Sequence, residues 1–482
     1  MVLFFPSRIS SAMRSPAISR RSMLTAGTVG MMGLGLPQLT ALDAALASGA
    51  AGKKKSVIFV FINGGLSHQD TFDMKPLAPM SVRGEFQPIS TQTPGIQICE
   101  HLPLMAARTE KYALVRSLST DSSDHGPACH MLFTGRLDFP AGFVDSGRIS
   151  PNEWPSLLSQ VTYALGDGGP LPPAAVLPQP SINEANAIRP GQYSGKMGTR
   201  WESWHIDLAA PCALGTGACP HCFLFNGEVF EHGSPTVLNT PMLSLPDGGS
   251  SRLRNRIQLL SYVDQQQRML EHAAMTGGLD RDRQQAVSVL ADARVRSAFD
   301  VENADPQIQQ RYGRNKFGLS LLMARRLVEA GVRLVQVNLG KNSSWDTHAD
   351  NFVNLKNNLL PHADRGLSAL LDDLDESGML DSTLVIISGE FGRTPTINKD
   401  AGRDHWGPAM TSLFAGGGVQ GGRVIGETDD IAAYPISDRQ TPENIAATMF
   451  HTLGIPEDTL WHDIDGRPHE LYRGQPISGL FG

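Results

Sequence analysis

Short continuous apolar runs, each cut off by glycine or a polar loop, alternate along the chain with segments of helical periodicity. Val57 to Ile62, Tyr112 to Ser117, Val332 to Leu339, Leu384 to Ile387 and Met410 to Ala415 are such runs. Unbroken apolar character, β-branched at the centre, predicts strands buried on both faces, as in a parallel sheet. Asn63-Gly64-Gly65 ends the first run, and Ser388-Gly389 followed by Gly392 and Pro395 ends the fourth. Glycine and proline set up turns, so each run is expected to stop abruptly there.

Between the runs, apolar residues recur at helical spacing. The pattern predicts helices over Phe317 to Ala330, with Gly331 as the stop, over Phe352 to Ser377, and over Pro442 to Leu453 with Thr441 as cap. A further helix is expected to open near Pro127, with Asp124 and His125 at its amino end. Two more stripes run over 251–275 and 282–299, opposite Gln- and Arg-rich faces. Residues 180–250 are rich in Pro, Gly and Asn without periodicity, and are expected to form an irregular cap insertion over the strand ends. Strand–helix–strand order implies right-handed parallel crossovers. The expected fold is therefore α/β, a mostly parallel central sheet flanked by helices.

The polar residues worth noting fall just past the strand runs, where open α/β sheets bind ligands. They are His68 and Asp70 after the first run, Asp346 and His348 after the third, and Glu390 after the fourth, with His405 further along the same loop. Carboxylate plus imidazole is a ligand set for a divalent metal: zinc, manganese or, with more oxygen, calcium. Arg393 offers a forked donor matched to phosphate or sulfate oxygens. His125, Arg393 and Asp404 are the candidate catalytic residues. The plainer reading is a loop ion pair between Glu390 and Arg393, with His405 an ordinary surface residue.

Several strings carry a family resemblance: N-G-G-L-S-H-Q-D-T-F-D-M-K-P, H-G-P-A-C-H-M-L-F-T-G-R, R-Y-G-R-N-K-F-G, W-D-T-H, S-G-E-F-G-R-T-P and G-R-D-H-W-G-P. Together they span nearly all of the chain beyond Val57. In their order the chain resembles the alkaline phosphatase and sulfatase superfamily. Within it, the chain is most similar to exported bacterial proteins of unknown function labelled sulfatase-like (domain of unknown function 1501). The resemblance implies an alkaline phosphatase-like fold and hydrolysis of a phosphate or sulfate ester carried by a small molecule or a glycan. It also implies that Asp346 and His405 take the places of a metal carboxylate and the final histidine. His348 replaces the other histidine of that site, and Glu390 replaces a second-metal carboxylate. The chain departs from the pattern as well. Asn63 stands where an aspartate ends the first strand, with Asp70 or His68 left to substitute from the loop. Phe391 stands where His or Asn follows the carboxylate. His125 stands about where a Ser, Thr or formylglycine-forming Cys is placed, Cys129 lies too far along, and C-x-P-x-R is absent. A metal-activated water, or His125 as nucleophile or acid–base, then has to replace the usual nucleophile. The competing reading is a catalytically degenerate relative that binds metal or an anionic glycan.

Charge and the two ends of the chain narrow the setting. The 482 residues carry a formal charge of −7 with no long basic run, so a nucleic-acid partner is not expected. Ser19-Arg20-Arg21-Ser22-Met23-Leu24, a Gly- and Ala-rich apolar run over Ala26 to Leu36, and Ala45-Leu46-Ala47 read as a twin-arginine signal peptide over 1–47, leaving a domain over 48–482. Cleavage removes Arg8, Arg14, Arg20, Arg21 and Asp43, taking the charge to −10. The twin-arginine translocase is then an expected partner, the destination is the periplasm or exterior, and no stable membrane anchor is expected. Of five cysteines, Cys212, Cys219 and Cys222 cluster with His221 in P-C-A-L-G-T-G-A-C-P-H-C. An oxidising compartment makes a disulfide the first expectation, a zinc site the second and thiol redox chemistry the third.

Overall fold

The computed structural model describes residues 54–482 apart from 167–170, 184, 186, 207–296, 302 and 341–343. The signal peptide expected over 1–47, the cluster of Cys212, His221, Cys219 and Cys222, the stripe over 251–275 and most of that over 282–299 lie outside the described residues. Residues Lys55–Gly482 make one compact unit.

Strand β1 (Ser56–Ile62) is buried at every position and lies at the centre of an eight-stranded sheet. Its period-2 alternation feeds two separate cores. Ile58, Val60 and Ile62 join Leu322 and Leu370 on one face. Val57, Phe59 and Phe61 join Phe133, Val161 and Phe450 on the other. Helices α1 (His125–Thr134), α2 (Leu157–Leu165) and α5 (Pro442–Leu453) cover the second face, while α3 (Lys316–Ala330) and α4 (Leu360–Glu376) cover the first. Layering on both faces is why the strands are apolar throughout rather than alternating.

The remaining strands are β2 (Tyr112–Leu118), β3 (Ala174–Leu177), β4 (Trp204–His205), β5 (Leu334–Leu339), β6 (Thr383–Gly389), β9 (Met410–Ala415) and β10 (Arg423–Ile425), in sheet order β10-β2-β9-β6-β1-β5-β3-β4. A two-stranded ribbon of β7 (Gly392–Arg393) and β8 (His405–Trp406) lies between β6 and β9. Strand β1 pairs in parallel with both neighbours, Ile62 reaching Leu339 on one side and Gly389 on the other.

Three expectations are corrected. Strand β9 is antiparallel to both β6 and β2 rather than another parallel member. No helix intervenes between β6 and β9, so the chain turns back at the same sheet edge, which only an antiparallel strand allows. The helix expected over Phe352 to Ser377 is broken by a π turn at Leu355–Leu359 before α4. Pro361 in the first turn of α4 lacks an N–H and crowds the preceding turn, and the wider π turn accommodates it. The irregular insertion is not wholly a cap, because Trp204–His205 pairs in parallel with β3 as the edge strand. Strand β3, only four residues bounded by prolines, carries no legible signal. By contrast α5 opens as expected, with Thr441 and Asn444 forming a capping box and Pro442 in the first turn.

Two buried charges tie segments outside the sheet. Asp70, on the loop after β1, is fully buried and takes a two-pronged bond from Arg403, 2.7 Å to each oxygen. Arg403 also donates to the carbonyls of Val82, Thr394 and Pro395. Ser67 Oγ and Asn351 Nδ2 complete the Asp70 shell at 2.6 and 2.8 Å. Glu153 accepts a 2.7 Å bond from the Gly191 amide, and burial pushes its carboxyl up to about 7.

Removing one partner of a buried pair strands the other charge, so Arg403→Met should destabilise the protein by about 3–5 kcal/mol in urea unfolding. A loss below about 1 kcal/mol would show that the pair contributes little to folding. Glu153 has a raised folded-state pKa, so its contribution is complete below the unfolded value and is lost as pH rises through about 7. Relative to Glu153→Gln, which keeps an acceptor for the Gly191 amide, the wild type should lose stability between about pH 5 and pH 8. Parallel stability profiles would mean that Glu153 ionises normally.

Candidate metal centre

The parallel strands β1, β2, β5 and β6 all end at one edge of the sheet, and antiparallel β9 begins there. Asn63 follows β1, His125 opens α1 after β2, Asp346 and His348 follow β5, and Glu390 follows β6, with His405 on ribbon strand β8. The turn after β1 is kept tight by Gly65, at φ +84°, where an added Cβ would lie 2.7 Å from the Phe391 ring. Phe391 is buried beneath the histidines, its ring centroid 4.8 Å from that of His125 and 4.6 Å from that of His405.

Asp346, almost wholly buried, is the focus. Its Oδ2 lies 2.9 Å from His125 Nε2. Its Oδ1 lies 3.0 Å from His405 Nε2, 3.0 Å from His348 Nε2 and 2.5 Å from Arg393 Nη2. The Nε2 atoms of His348 and His405 are themselves 3.0 Å apart. His125 Nδ1 lies 2.6 Å from Glu390 Oε1, and both Glu390 oxygens accept from the Gly64 amide at 3.1 Å. His348 Nδ1 lies 2.7 Å from Asp404 Oδ1 on the exposed side.

Burial alone would raise the Asp346 pKa, but Arg393 and the three imidazoles prevail and hold it well below the usual carboxylate range. Burial likewise opposes ionisation of Glu390, and its bond to His125 outweighs that. His125 is desolvated, yet its two carboxylate partners raise its pKa. His348 is raised chiefly by its bond to Asp346. His405 is lowered, by burial first. Ligand atoms of His125, Asp346 and His405 lie within 4.8 Å of one another, a group able to hold a metal ion. Beside it, Asn63 is fully buried and neither of its side-chain amide atoms has a hydrogen-bond partner. The orphaned Asn63 Oδ1 at the end of the central strand is an oxygen that a bound cation would satisfy.

Of the residues expected from the sequence, the structure brings Asp346, His348, Glu390, His405, His125, Arg393 and Asp404 together. It separates Asp70 and His68 from them. Asp70 is engaged by Arg403. His68 is buried with Nε2 2.9 Å from the Ala432 carbonyl oxygen, and burial lowers its pKa. Their loop closes on itself, with the amides of Thr71, Phe72 and Asp73 all donating to the His68 carbonyl.

His125 stands among the candidate ligands, with each ring nitrogen on a carboxylate. Arg393 is fully buried and donates to the carbonyls of Gly64, Gly65, Trp345 and Arg403. It positions the loops and has no donor turned outward to clamp an anion. Sequence reasoning missed Arg189, a buried arginine of the insertion whose charge helps lower Glu390. It lies in a stretch without periodicity, and nothing local marks it. Cys129 is buried and free, and burial raises its thiol well above the ordinary range, so it is unreactive.

Among solved structures, the chain is similar to the PsFucS1 sulfatase from Pseudoalteromonas sp., at 10% identity and a TM-score of 0.37, over 88% of this chain and 72% of that one. It is similar to the phosphonate monoester hydrolase SpPMH from Silicibacter pomeroyi, at 12% identity and a TM-score of 0.34, over 86% and 75%. It is also similar to the lipoteichoic acid synthase LtaP from Listeria monocytogenes, at 11% identity and a TM-score of 0.35, over 84% and 73%. No curated protein matches the chain. The model of the family described as "Protein of unknown function (DUF1501)" matches residues 54–481, and the chain belongs to that family.

Proposed function

We propose that the protein is an exported, metal-dependent hydrolase of phosphate or sulfate esters. The observation that carries this reading is the convergence of His125, His405 and Asp346 at the strand ends, with Asn63 unpaired beside them. Two imidazoles and a carboxylate suit zinc or manganese better than calcium, which prefers an all-oxygen shell. His125, His405 and Asp346 would hold such an ion, and the chemistry supplied there would be Lewis-acid polarisation of an ester oxygen.

The protein's own groups do the rest. Glu390 accepts a hydrogen bond from Nδ1–H of His125, which would leave Nε2 as the ligand nitrogen, the carboxylate–histidine arrangement common around metals. Arg393 holds Asp346 ionised and in place. Asp404 bonds His348 Nδ1 and orients a ring that is the least buried of the three; once its Nε2 parts from Asp346, His348 is placed to take a proton from an attacking water and return it to the leaving alcohol. A second reading, metal or anionic-glycan binding without turnover, is favoured by His125, both of whose ring nitrogens sit on carboxylates and are not poised to attack.

Metal analysis of the purified protein, followed by a screen of phosphate and sulfate esters, separates the two. Asp346→Ala and His405→Ala should lose metal and activity together, and His125→Ala should lose metal as well. His348→Ala should keep the metal and lower kcat by about 10²- to 10⁴-fold. Metal-loaded wild-type protein that cleaves neither ester class would leave the binding reading in its place.

Export rests on Arg20 and Arg21 in S-R-R-S-M-L; no described helix is long and apolar enough to cross a membrane. Replacing both arginines by lysine should strand the precursor in the cytoplasm. Full export of that double variant would remove the twin-arginine assignment.

A further inference from the structure

A pocket of about 450 Å³ is lined by chain segments that lead into the candidate metal centre, and its volume is within the range of about 300–1,000 Å³ usual for small-ligand sites. Its walls are the two segments attached to the paired histidines. Residues 119–123 run into His125, and Gly407 and Pro408 follow His405 and Trp406. The walls are bonded to each other, the Thr120 amide donating to the Gly407 carbonyl and the Gly407 amide to Ser123 Oγ, both at 2.9 Å. The His125 and His405 ring centroids are 4.3 Å apart, so the two wall segments meet again at the candidate centre.

The lining is rich in hydroxyl groups with hydrogen left to give. Ser119 Oγ accepts from Arg439 Nε at 2.6 Å, Ser122 Oγ from the Asp124 amide at 3.1 Å, and Ser123 Oγ from Gly407. A hydroxyl has one donor and two acceptor sites. Ser122 and Ser123 are thus acceptors in their recorded bonds and keep their O–H for a ligand, while the buried Ser119 serves to fix Arg439. Arg439 pairs with Asp121 at 3.0 Å, and both are more than half exposed at the rim. The charges at the rim cancel, so the pocket does not select for an anion. Tyr434 supplies the aromatic element. It is 53% exposed and braced edge-on by Trp406, with centroids 5.5 Å apart and planes at 66°. The Trp406 Nε1 is itself fixed to the Ala433 carbonyl oxygen at 2.7 Å.

We propose that this pocket is a sugar subsite, in which Tyr434 stacks against the apolar face of a ring while Ser122, Ser123 and Arg439 donate to its oxygens. A neutral ring with many acceptor oxygens and one C–H face matches outward hydroxyl donors, a balanced ion pair and an exposed aromatic. A lipid chain would leave the Ser122 and Ser123 hydroxyls unpaired, and an acidic peptide would meet Asp121. The inference rests on the hydrolase reading in one respect: it makes the esterified group a sugar, so that the ester lies at the metal centre and the ring lies beyond His125 and His405.

The test is titration of the full-length, metal-loaded protein with ester-free trisaccharides (cellotriose, maltotriose, galactotriose and chitotriose) by calorimetry and tryptophan fluorescence. Saturable binding of at least one is expected, with Trp406 reporting it. Tyr434→Ala should weaken that binding at least tenfold and Arg439→Gln by a smaller factor, with metal content unchanged. Tyr434→Phe, which keeps the ring, should retain binding and guards against a folding defect. Binding of none of the four sugars, equal binding by Tyr434→Ala, or displacement of the sugar only by phosphatidylglycerol vesicles or peptides would overturn the subsite. Sugar binding by a wild-type protein that cleaves no phosphate or sulfate ester would instead overturn the hydrolase reading and leave the subsite standing.

Discussion

A guanidinium shut off from water holds the edge of this sheet together. Arg393 bonds to carbonyl oxygens on the loops after β1 and β5 and to one further along its own loop, and it ion-pairs with Asp346. A buried charge is tolerated only when it is paired and its donors are satisfied. The three loops therefore have to present their oxygens to one plane, and that requirement sets where Asp346 lies. The imidazoles arrange themselves around the carboxylate so placed. Arg393 consequently shapes the site without facing a ligand, and its influence is felt through the carboxylate it fixes.

Electrostatics at the centre follows from the same packing. Two carboxylates, Asp346 and Glu390, remain ionised in surroundings that would otherwise neutralise them, because cations and imidazoles crowd both. The histidines do not behave alike. His125 sits between two carboxylates and His348 bridges two, whereas His405 touches one and feels the charge of His125 and Arg393 besides burial. Residues of one chemical type thus divide into different proton-holding groups according to how many acidic partners each one has.

The sheet and much of the site could be read from the chain because both depend on local grammar. Apolar runs ended by glycine mark strands, and polar residues just past them fall at one edge by topology, which is how Asp346, His348, Glu390 and His405 were found. Asp70 and His68 satisfy the same rule and still lie elsewhere, since the distant Arg403 engages the one and the Ala432 carbonyl the other. Nothing near Arg393 in sequence tells that its donors would meet backbone rather than ligand. Arg189 is invisible for the opposite reason: tertiary folding alone carries an unpatterned segment towards Glu390. The direction of β9 was also hidden, because an apolar run has no sense until the length and content of its connection are known.

The wide separation of the paired segments has a kinetic consequence. Strand β1 finds its two neighbours only among residues 334–339 and 383–389, so most of the chain has to be made before the central strand is flanked. Contacts so distant in sequence close large loops and form slowly. The centre, drawn from the ends of these strands, has no precursor in any fragment. An ion or ligand that recognises it can act only on the assembled sheet, deepening the native basin by mass action rather than guiding the search for it.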